Sequence, residues 1–325
     1  MSLGGTKLLY QNQPKHWSQK RVKTTKKEFK GIFVPIVTPF KNTEGQEIDK
    51  EKLKEQIRFL LENGVHGIFI CSGTGEYASY SESEFEEAAK IAVDEVNGRV
   101  PVLAGAGSPG TQTAVKLARI AKDVGTDAVI VVGPYYNLPV TEEGIYLHYK
   151  TISERAEIPV WVYNLTRIQP YKDIPPEIIG RLANDGLIAG IKNSTDDILH
   201  HSMMLMLTKE KTLRGEFHPM VGPERFFLPF YLLGGKGNIA TAANIAPKLH
   251  VELYKALERG NMEEAKRIHF NLVPLWRFGA SPALVKEALK MIGRDCGVAR
   301  LPLLPPSEDT KRKLREVLAN LGLLK

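Results

Sequence analysis

Short apolar runs alternate with helix-like stretches eight times between residues 31 and 247. Runs such as 67–71 and 128–132 have the length and composition of strands that are buried on both faces. The segments between them carry apolar residues at helical spacing, and one begins with Ser81 followed by Glu84, a capping box. This alternation predicts an α/β chain with a parallel sheet, either doubly wound or closed into a barrel.

Two features favour the closed (β/α)8 TIM barrel. Eight repeats is the strand number of that fold, and the span of 31–247 suits it. The first run is followed by Thr38-Pro39-Phe40-Lys41, whereas a dinucleotide-binding sheet places a Gly-x-Gly-x-x-Gly turn there. Residues 248–325 contain helical segments without further strand-like runs. They predict a C-terminal helical appendage packed on the barrel or on a neighbouring subunit.

The net charge of +7 belongs to the N-terminal extension, residues 1–30. This segment holds eight of the 44 basic residues and one of the 37 acidic residues, which leaves 36 of each for the remainder. The segment has no hydrophobic periodicity, which predicts a solvated extension and argues against a nucleic-acid partner. Its first residues, Met-Ser-Leu-Gly-Gly, are compatible with a cloning remnant. No apolar run reaches membrane-spanning length, and two widely spaced cysteines, Cys71 and Cys296, form neither a disulfide framework nor a zinc pattern. We therefore expect a cytoplasmic protein without a membrane partner.

A lysine ends the sixth apolar run. In a (β/α)8 barrel, function collects at the C-terminal ends of the strands, and Lys192 follows the apolar stretch 186–191 at such an end. An amine that is partly enclosed by apolar side chains has its charged form disfavoured, so a fraction of it is a free nucleophile. We hypothesise that Lys192 forms a Schiff base with a carbonyl substrate. A lysine at a strand end is more often a solvated charge, so this hypothesis depends on its neighbours.

Two other strand ends carry groups that suit such chemistry. After the second run, Ser72-Gly73-Thr74-Gly75-Glu76 is a glycine-rich turn whose backbone N–H groups can hold a small carboxylate, although a plain tight turn is the alternative. After the fifth run, Tyr163 can pass a proton to or from a substrate oxygen, although a packed rim tyrosine is the alternative. An anion anchor, an amine and a proton shuttle together favour a Schiff-base lyase.

A metal site is not expected. His200 and His201 are adjacent on a predicted helix and should face different directions, and the other histidines are scattered. No nucleophile elbow or ordered Ser-His-Asp set is visible.

An ordered set of motifs resembles the dihydrodipicolinate synthase / N-acetylneuraminate lyase family of class I aldolases. The resemblance covers residues 31–325, and its motifs are 33–40, 72–76, Pro134-Tyr135-Tyr136-Asn137, Tyr163-Asn164, Gly190-Ile191-Lys192 and 301–305. It implies that pyruvate or another 2-oxo acid is held as an imine, without a metal or an organic cofactor. It also implies a homo-oligomer, commonly a tetramer built as a dimer of dimers.

The resemblance assigns roles by position. Lys192 is implied to be the Schiff-base lysine, and Tyr163 to relay protons. Gly73 and Thr74 are implied to hold the substrate carboxylate, and the backbone of Gly222 and Ile239 to line the pyruvate pocket. Two further residues have roles in the synthase branch: Tyr136 reaches into the neighbouring subunit's site, and Arg167 is a candidate for binding the carboxylate of the second substrate.

Three departures from the family pattern bear on the reaction. Gly73 stands where the family usually has a threonine or serine, which removes a hydroxyl from the synthase-type proton relay. Leu165-Thr166-Arg167 follows Tyr163-Asn164 without the usual proline, and the local length before Arg167 differs from the family pattern. Glu82 and Phe85 occupy positions where lysine-inhibited bacterial synthases place histidines, which argues against feedback inhibition by lysine.

These departures leave three functions open. The first is condensation of pyruvate with an aldehyde, as in dihydrodipicolinate synthase. The second is cleavage or dehydration of a 2-keto-3-deoxy sugar acid, as in 5-dehydro-4-deoxyglucarate dehydratase, a branch in which a glycine also occurs in the turn. The third is a non-catalytic relative that binds a carboxylate in the same pocket.

Overall fold

Eight parallel strands close into a barrel in their chain order, which confirms the predicted (β/α)8 fold. The computed structural model describes residues 28–136, 139–166 and 173–324. Each strand pairs with the next, and the last pairs with the first. The strands are β1 Gly31–Pro35, β2 Gly67–Ile70, β3 Val102–Gly105, β4 Ala128–Val132, β5 Val160–Asn164, β6 Gly190–Asn193, β7 His218–Val221 and β8 Gly237–Ile239.

Twelve α-helices occur in the described part of the chain. The predicted capping box of α2 is present, with the Ser81 side chain accepting from the Glu84 N–H and the Glu84 side chain accepting from the Ser81 N–H. No described helix is long and apolar enough to cross a membrane. The helices are α1 Lys50–Glu62, α2 Glu82–Val96, α3 Thr111–Asp123, α4 Glu142–Ala156, α5 Pro176–Asn184, α6 Ile198–Leu207, α7 Lys209–Leu213, α8 Phe227–Leu232, α9 Pro247–Glu258, α10 Met262–Trp276, α11 Pro282–Met291 and α12 Glu308–Asn320.

Two apolar layers hold the barrel together, as the strand composition requires. The larger layer fills the space between the strands and the surrounding helices. The smaller layer lies inside the barrel and includes Phe69, Trp161 and Met220. Phe29, which precedes β1, joins this inner layer and lies 5.4 Å from Trp161 between ring centroids. The inner layer is a packed core, so access to the barrel is limited to its ends.

The C-terminal helices pack on the barrel of their own chain. Helix α9 lies against β1, and α12 contacts α10 and α11. Val298 forms an isolated antiparallel bridge with Phe40, which follows β1. The appendage is therefore in contact with the loops at the strand ends. The boundaries at residues 30 and 247 stay predictions.

A buried histidine in α9 makes the fold sensitive to acid. His250 is fully buried, its Nδ1 donates to the Ala246 carbonyl at 2.8 Å, and its Nε2 accepts from the Trp276 indole N–H at 3.1 Å. Both ring nitrogens are used by a neutral imidazole. Burial lowers the pKa of His250 from 6.5 to about 4. Burial also lowers the pKa of His148 and His201 to about 4.

We expect the free energy of unfolding to fall between pH 6.5 and 4. Below pH 6.5 the unfolded chain binds protons that the folded chain excludes until about pH 4, so stability is complete above this window and is lost as the pH drops through it. Each such histidine contributes up to about 1.4 kcal/mol per pH unit. Urea unfolding at pH 7 and pH 5 measures the effect. His250→Gln does not titrate and should reduce the slope, whereas equal slopes would contradict the assignment.

Candidate active site

The C-terminal ends of β5 and β6 bring two candidate residues side by side. The strands pair in parallel with Tyr163 opposite Lys192 and Asn164 opposite Asn193. Because neighbouring strands end at the same edge of the barrel, both side chains reach its mouth. The structure thus brings together the amine and the phenol that the sequence suggested separately.

Lys192 lies in an apolar and aromatic environment. Only 6% of the residue is exposed, and its Nζ lies 4.3 Å from the ring centroid of Tyr163 and 5.4 Å from that of Phe69. Aromatic faces attract an ammonium group without forming a hydrogen bond to it. No ion pair of the described residues includes Lys192. The amine is therefore enclosed but not tied to a carboxylate, which leaves its nitrogen available to a substrate.

The glycine-rich turn after β2 is compact and held by hydrogen bonds within itself. The Ser72 hydroxyl accepts from the Gly75 N–H at 3.1 Å, and the Gly73 carbonyl accepts from the Glu76 N–H at 3.1 Å. Thr74 is buried, and its hydroxyl lies 3.3 Å from that of Thr241, which follows β8. The turn is thereby fixed near the end of β8, while carboxylate binding by Gly73 and Thr74 stays a prediction.

Gly222 and Ile239 occupy the ends of β7 and β8. A Cβ at Gly222 would lie 1.9 Å from the Ser194 Oγ and 3.3 Å from the Lys192 Cε, so a larger residue would force the Ser194 side chain to move and would crowd the lysine. The Gly222 N–H donates to the Asn193 carbonyl at 2.8 Å. Ile239 is buried in the inner layer of the barrel. Both residues lie at the mouth of the barrel, as expected, while their contacts with a substrate stay a prediction.

Two predicted residues are not part of this cluster as described. Tyr136 is 88% exposed and adopts a left-handed backbone conformation with φ 69°, so it points away from the site of its own chain. Its role in a neighbouring subunit stays a prediction. Arg167 lies outside the described residues.

Glu224 is a site residue that the sequence reasoning missed. It follows β7, and its carboxylate accepts from the Ala242 N–H at 2.8 Å. Burial raises the pKa of the Glu224 carboxyl, while the Ala242 and Thr241 N–H groups and the Lys192 ammonium act in the opposite direction. The seventh apolar run is weak in the sequence, and its position directly before Glu224 is the signal that could have found this carboxyl group.

A further phenol, Tyr77, lies at the space beside Gly73. Burial raises the pKa of the Tyr77 hydroxyl, and the nearby Tyr135 and Tyr163 add to the effect. Tyr77, Tyr163 and Gly73 line a cavity of about 10 Å³. A Cβ added at Gly73 would meet no atom within 4 Å. The position that lacks a hydroxyl therefore has room for a larger residue.

A buried polar network lies behind the reacting face. The Asn164 amide donates to Asn193 Oδ1 at 2.9 Å and to Asp173 Oδ1 at 2.8 Å. The Asn193 amide lies 3.2 Å from His200 Nδ1 and 3.1 Å from His201 Nδ1. The expectation that the two histidines face different directions is therefore wrong, because both rings converge on one amide. This network fixes the ends of β5 and β6 relative to each other.

Thr166 replaces the proline that the family pattern places after Tyr163-Asn164. Its hydroxyl donates to Asp173 Oδ1 at 2.7 Å. In this chain a hydrogen bond restrains the backbone at this position. In the usual family pattern the ring of a proline would restrain it instead. Among the described residues, no group of three or more His, Cys, Asp or Glu side chains could hold a metal ion.

The fold and the site place this chain among the (β/α)8 lyases. The model of the dihydrodipicolinate synthetase family matches residues 28–321. The chain belongs to this family, and the predicted family membership is confirmed.

Known proteins support this assignment along almost the whole chain. The 4-hydroxy-tetrahydrodipicolinate synthase of Methanospirillum hungatei is 40% identical over 294 residues, which are 90% of this chain and 99% of that protein. A solved monomeric dihydrodipicolinate synthase variant is 38% identical, with a TM-score of 0.85 and coverage of 91% of this chain and 98% of that one. A prophage protein of the family from E. coli K12, solved in complex with pyruvate, is 29% identical, with a TM-score of 0.84 and coverage of 91% and 99%.

Proposed function

We propose that this enzyme condenses pyruvate with an aldehyde through a Schiff base on Lys192, in the manner of dihydrodipicolinate synthase. The observation that carries the proposal is the enclosed amine of Lys192, which lies over the Tyr163 ring at 4.3 Å and forms no ion pair within the described residues. An enclosed amine that is not held by a carboxylate is free to approach and attack a carbonyl carbon. The complex of a family member with pyruvate supports the choice of substrate.

The proposed steps use groups at the barrel mouth. Lys192 Nζ attacks the 2-oxo carbon, and the former carbonyl oxygen leaves as water after receiving protons, with Tyr163 as the donor next to the amine. Loss of a proton from the adjacent methyl carbon gives an enamine, because the iminium accepts the electron pair. The enamine carbon then bonds to the aldehyde carbon, whose C=O bond opens to a hydroxyl by taking up a proton, and the iminium on Lys192 forms again. Hydrolysis of the resulting imine returns the oxygen and frees Lys192, so no metal or organic cofactor is needed.

The turn after β2 anchors the substrate in this proposal. The backbone N–H groups of Gly73 and Thr74, with the Thr74 hydroxyl, bind the carboxylate of the 2-oxo acid. Gly222 leaves space beside the Lys192 Cε, since a side chain there would displace the Ser194 hydroxyl and crowd the lysine stem. Ile239 closes the pocket from β8.

The second substrate has two candidates. The first is aspartate semialdehyde, as the aldehyde of a dihydrodipicolinate synthase-like condensation, and it is supported by relatives named 4-hydroxy-tetrahydrodipicolinate synthase. A 2-keto-3-deoxy sugar acid, cleaved or dehydrated by the same imine, is the second candidate. Gly73 supports it because the hydroxyl of the synthase relay is missing, and Glu224 supports it because a carboxyl group at the mouth can bind sugar hydroxyls. Turnover with aspartate semialdehyde, 2-keto-3-deoxygluconate and 5-dehydro-4-deoxyglucarate separates the two.

We further propose that the enzyme is a cytoplasmic dimer or tetramer in which Tyr136 enters a neighbouring site. The exposed Tyr136 side chain and the two buried free cysteines support these statements. The existence of a monomeric variant in the family makes the oligomeric state a matter for measurement by sedimentation.

Reductive trapping tests the proposed imine. The protein is incubated with pyruvate and borohydride, and its intact mass and peptides are measured. We expect one adduct per chain on Lys192, with the added mass of pyruvic acid less one water molecule plus the two hydrogens from the reduction. An adduct on another lysine, or no adduct, would overturn the proposal. Absence of any adduct despite carboxylate binding would favour a non-catalytic relative.

Gly73 offers a direct test of the missing hydroxyl. The site has open space, so Gly73→Ser should fold as the native chain does. If the reaction is the aldehyde condensation, the restored hydroxyl should raise kcat by about tenfold, because a positioned proton donor or acceptor accelerates the transfer. Gly73→Ala adds the Cβ without the hydroxyl and is the matched control. Equal rates for the serine and alanine variants would contradict a proton relay at this position.

A further inference from the structure

A buried ion pair joins the glycine-rich turn to the C-terminal appendage. Glu76 ends the turn, and its Oε1 lies 2.6 Å from the Nζ of Lys286 on α11, with both side chains 3% exposed. The second oxygen, Oε2, accepts from the Arg300 backbone N–H at 2.8 Å. Both oxygens of one carboxylate are therefore held by the appendage.

Lys286 is fully engaged at this contact. Its Nζ also donates to the Val298 carbonyl at 2.6 Å and lies 4.5 Å from the ring centroid of Phe40, which follows β1. The Arg300 guanidinium also lies near Phe40, 4.0 Å from the ring centroid, and pairs with Glu84. A buried charge requires a charged partner and hydrogen bonds, and Lys286 has both in the Glu76 carboxylate and the Val298 carbonyl.

The turn is held in a conformation that its sequence does not favour. Cys71 and Glu76, which flank it on either side, have φ angles of 52° and 63°. Residues other than glycine rarely adopt such angles unless their surroundings impose them. A glycine would relieve the strain at position 76 but would remove the carboxylate. The use of glutamate here indicates that the contact with the appendage matters more than the backbone preference.

We propose that Lys286 and Glu76 are positioning residues for the substrate carboxylate. This inference rests on the proposed function, in which the amides of Gly73 and Thr74 bind that carboxylate. The ion pair holds the end of the turn, and the turn aims its amides at the pocket. Loss of the pair lets the turn relax, so substrate binding weakens, while Lys192 and Tyr163, on other strands, keep their geometry.

The test measures imine formation against pyruvate concentration. For Lys286→Met we expect the half-saturating pyruvate concentration to rise by about tenfold or more, because hydrogen bonds to a charged group lose their alignment. The extent of the adduct at saturating pyruvate should be unchanged. Lys290→Met is the matched control, since Lys290 is exposed and lies four residues further along the same helix. Its half-saturating concentration should equal that of the native enzyme.

A second variant keeps the test decisive if Lys286→Met does not fold. The double variant Glu76→Gln/Lys286→Met leaves no unpaired buried charge and should show the same rise. The inference is overturned if the half-saturating pyruvate concentration is unchanged in either folded variant. It is also overturned if the adduct at saturating pyruvate is lost while the half-saturating concentration stays the same. If the native enzyme itself forms no adduct, the proposed function fails instead, and calorimetric titration with pyruvate then compares the same variants.

Discussion

Lys192→Ala is expected to abolish turnover, with a loss on the order of 10⁴-fold or more in kcat. Lys192 and Lys286 are the buried lysines of the part of the chain that the structure describes. Lys286 is tied to Glu76, so it cannot replace the missing nucleophile. Without the amine the electron sink of the reaction is gone, and the remaining groups can bind a 2-oxo acid but cannot activate it. Steady-state rates with pyruvate and aldehyde measure the loss.

The arginine variant sharpens this prediction. Lys192→Arg keeps the positive charge and the long stem but cannot supply a neutral amine, so it should be as inactive as the alanine variant. A charge that merely attracts the substrate would survive this change. If kcat of Lys192→Arg falls by less than about a hundredfold, nucleophilic catalysis by Lys192 is contradicted. A loss that small is the size expected when only an electrostatic interaction with the substrate is weakened.

The sequence was sufficient to predict the barrel and the position of the lysine. Eight apolar runs at regular intervals allow few arrangements, and a lysine that ends one of them must lie at the mouth. The contact between Lys192 and Tyr163 follows from the same reasoning, because β5 and β6 are neighbours in a barrel that keeps chain order. These features depend on periodicity and strand order, which a sequence displays directly.

Features that depend on distant or irregular segments could not be predicted. Glu76 and Lys286 are 210 positions apart, and nothing in either local sequence indicates their pairing. Glu224 follows a strand whose sequence, His218-Pro219-Met220-Val221, gives a weak strand signal because it contains a proline. The convergence of His200 and His201 on Asn193 depends on how α6 lies on β6, which helical periodicity alone does not determine.

Tyr163→Phe is expected to lower kcat by roughly 10²–10³-fold, the range for removal of a positioned acid–base group. The phenyl ring stays, so the aromatic face that lies 4.3 Å from the Lys192 Nζ is preserved. Only the hydroxyl is lost, and with it the proton donor for the departing water. We therefore expect slow formation of the imine, with the same final adduct on Lys192. Pre-steady-state trapping at short times measures the rate of adduct formation, and long incubation measures its extent.

Tyr163→Leu is the matched control, since it removes both the ring and the hydroxyl. If the ring contributes by holding the ammonium, the leucine variant should also bind pyruvate more weakly, by about fivefold, as expected for loss of one cation–π contact. An imine that forms at the native rate in Tyr163→Phe would show that the phenol is not the proton donor. Tyr77, whose hydroxyl borders the same cavity as Tyr163, would then be the group to replace next, because it is the neighbouring phenol on the side where Gly73 supplies no hydroxyl.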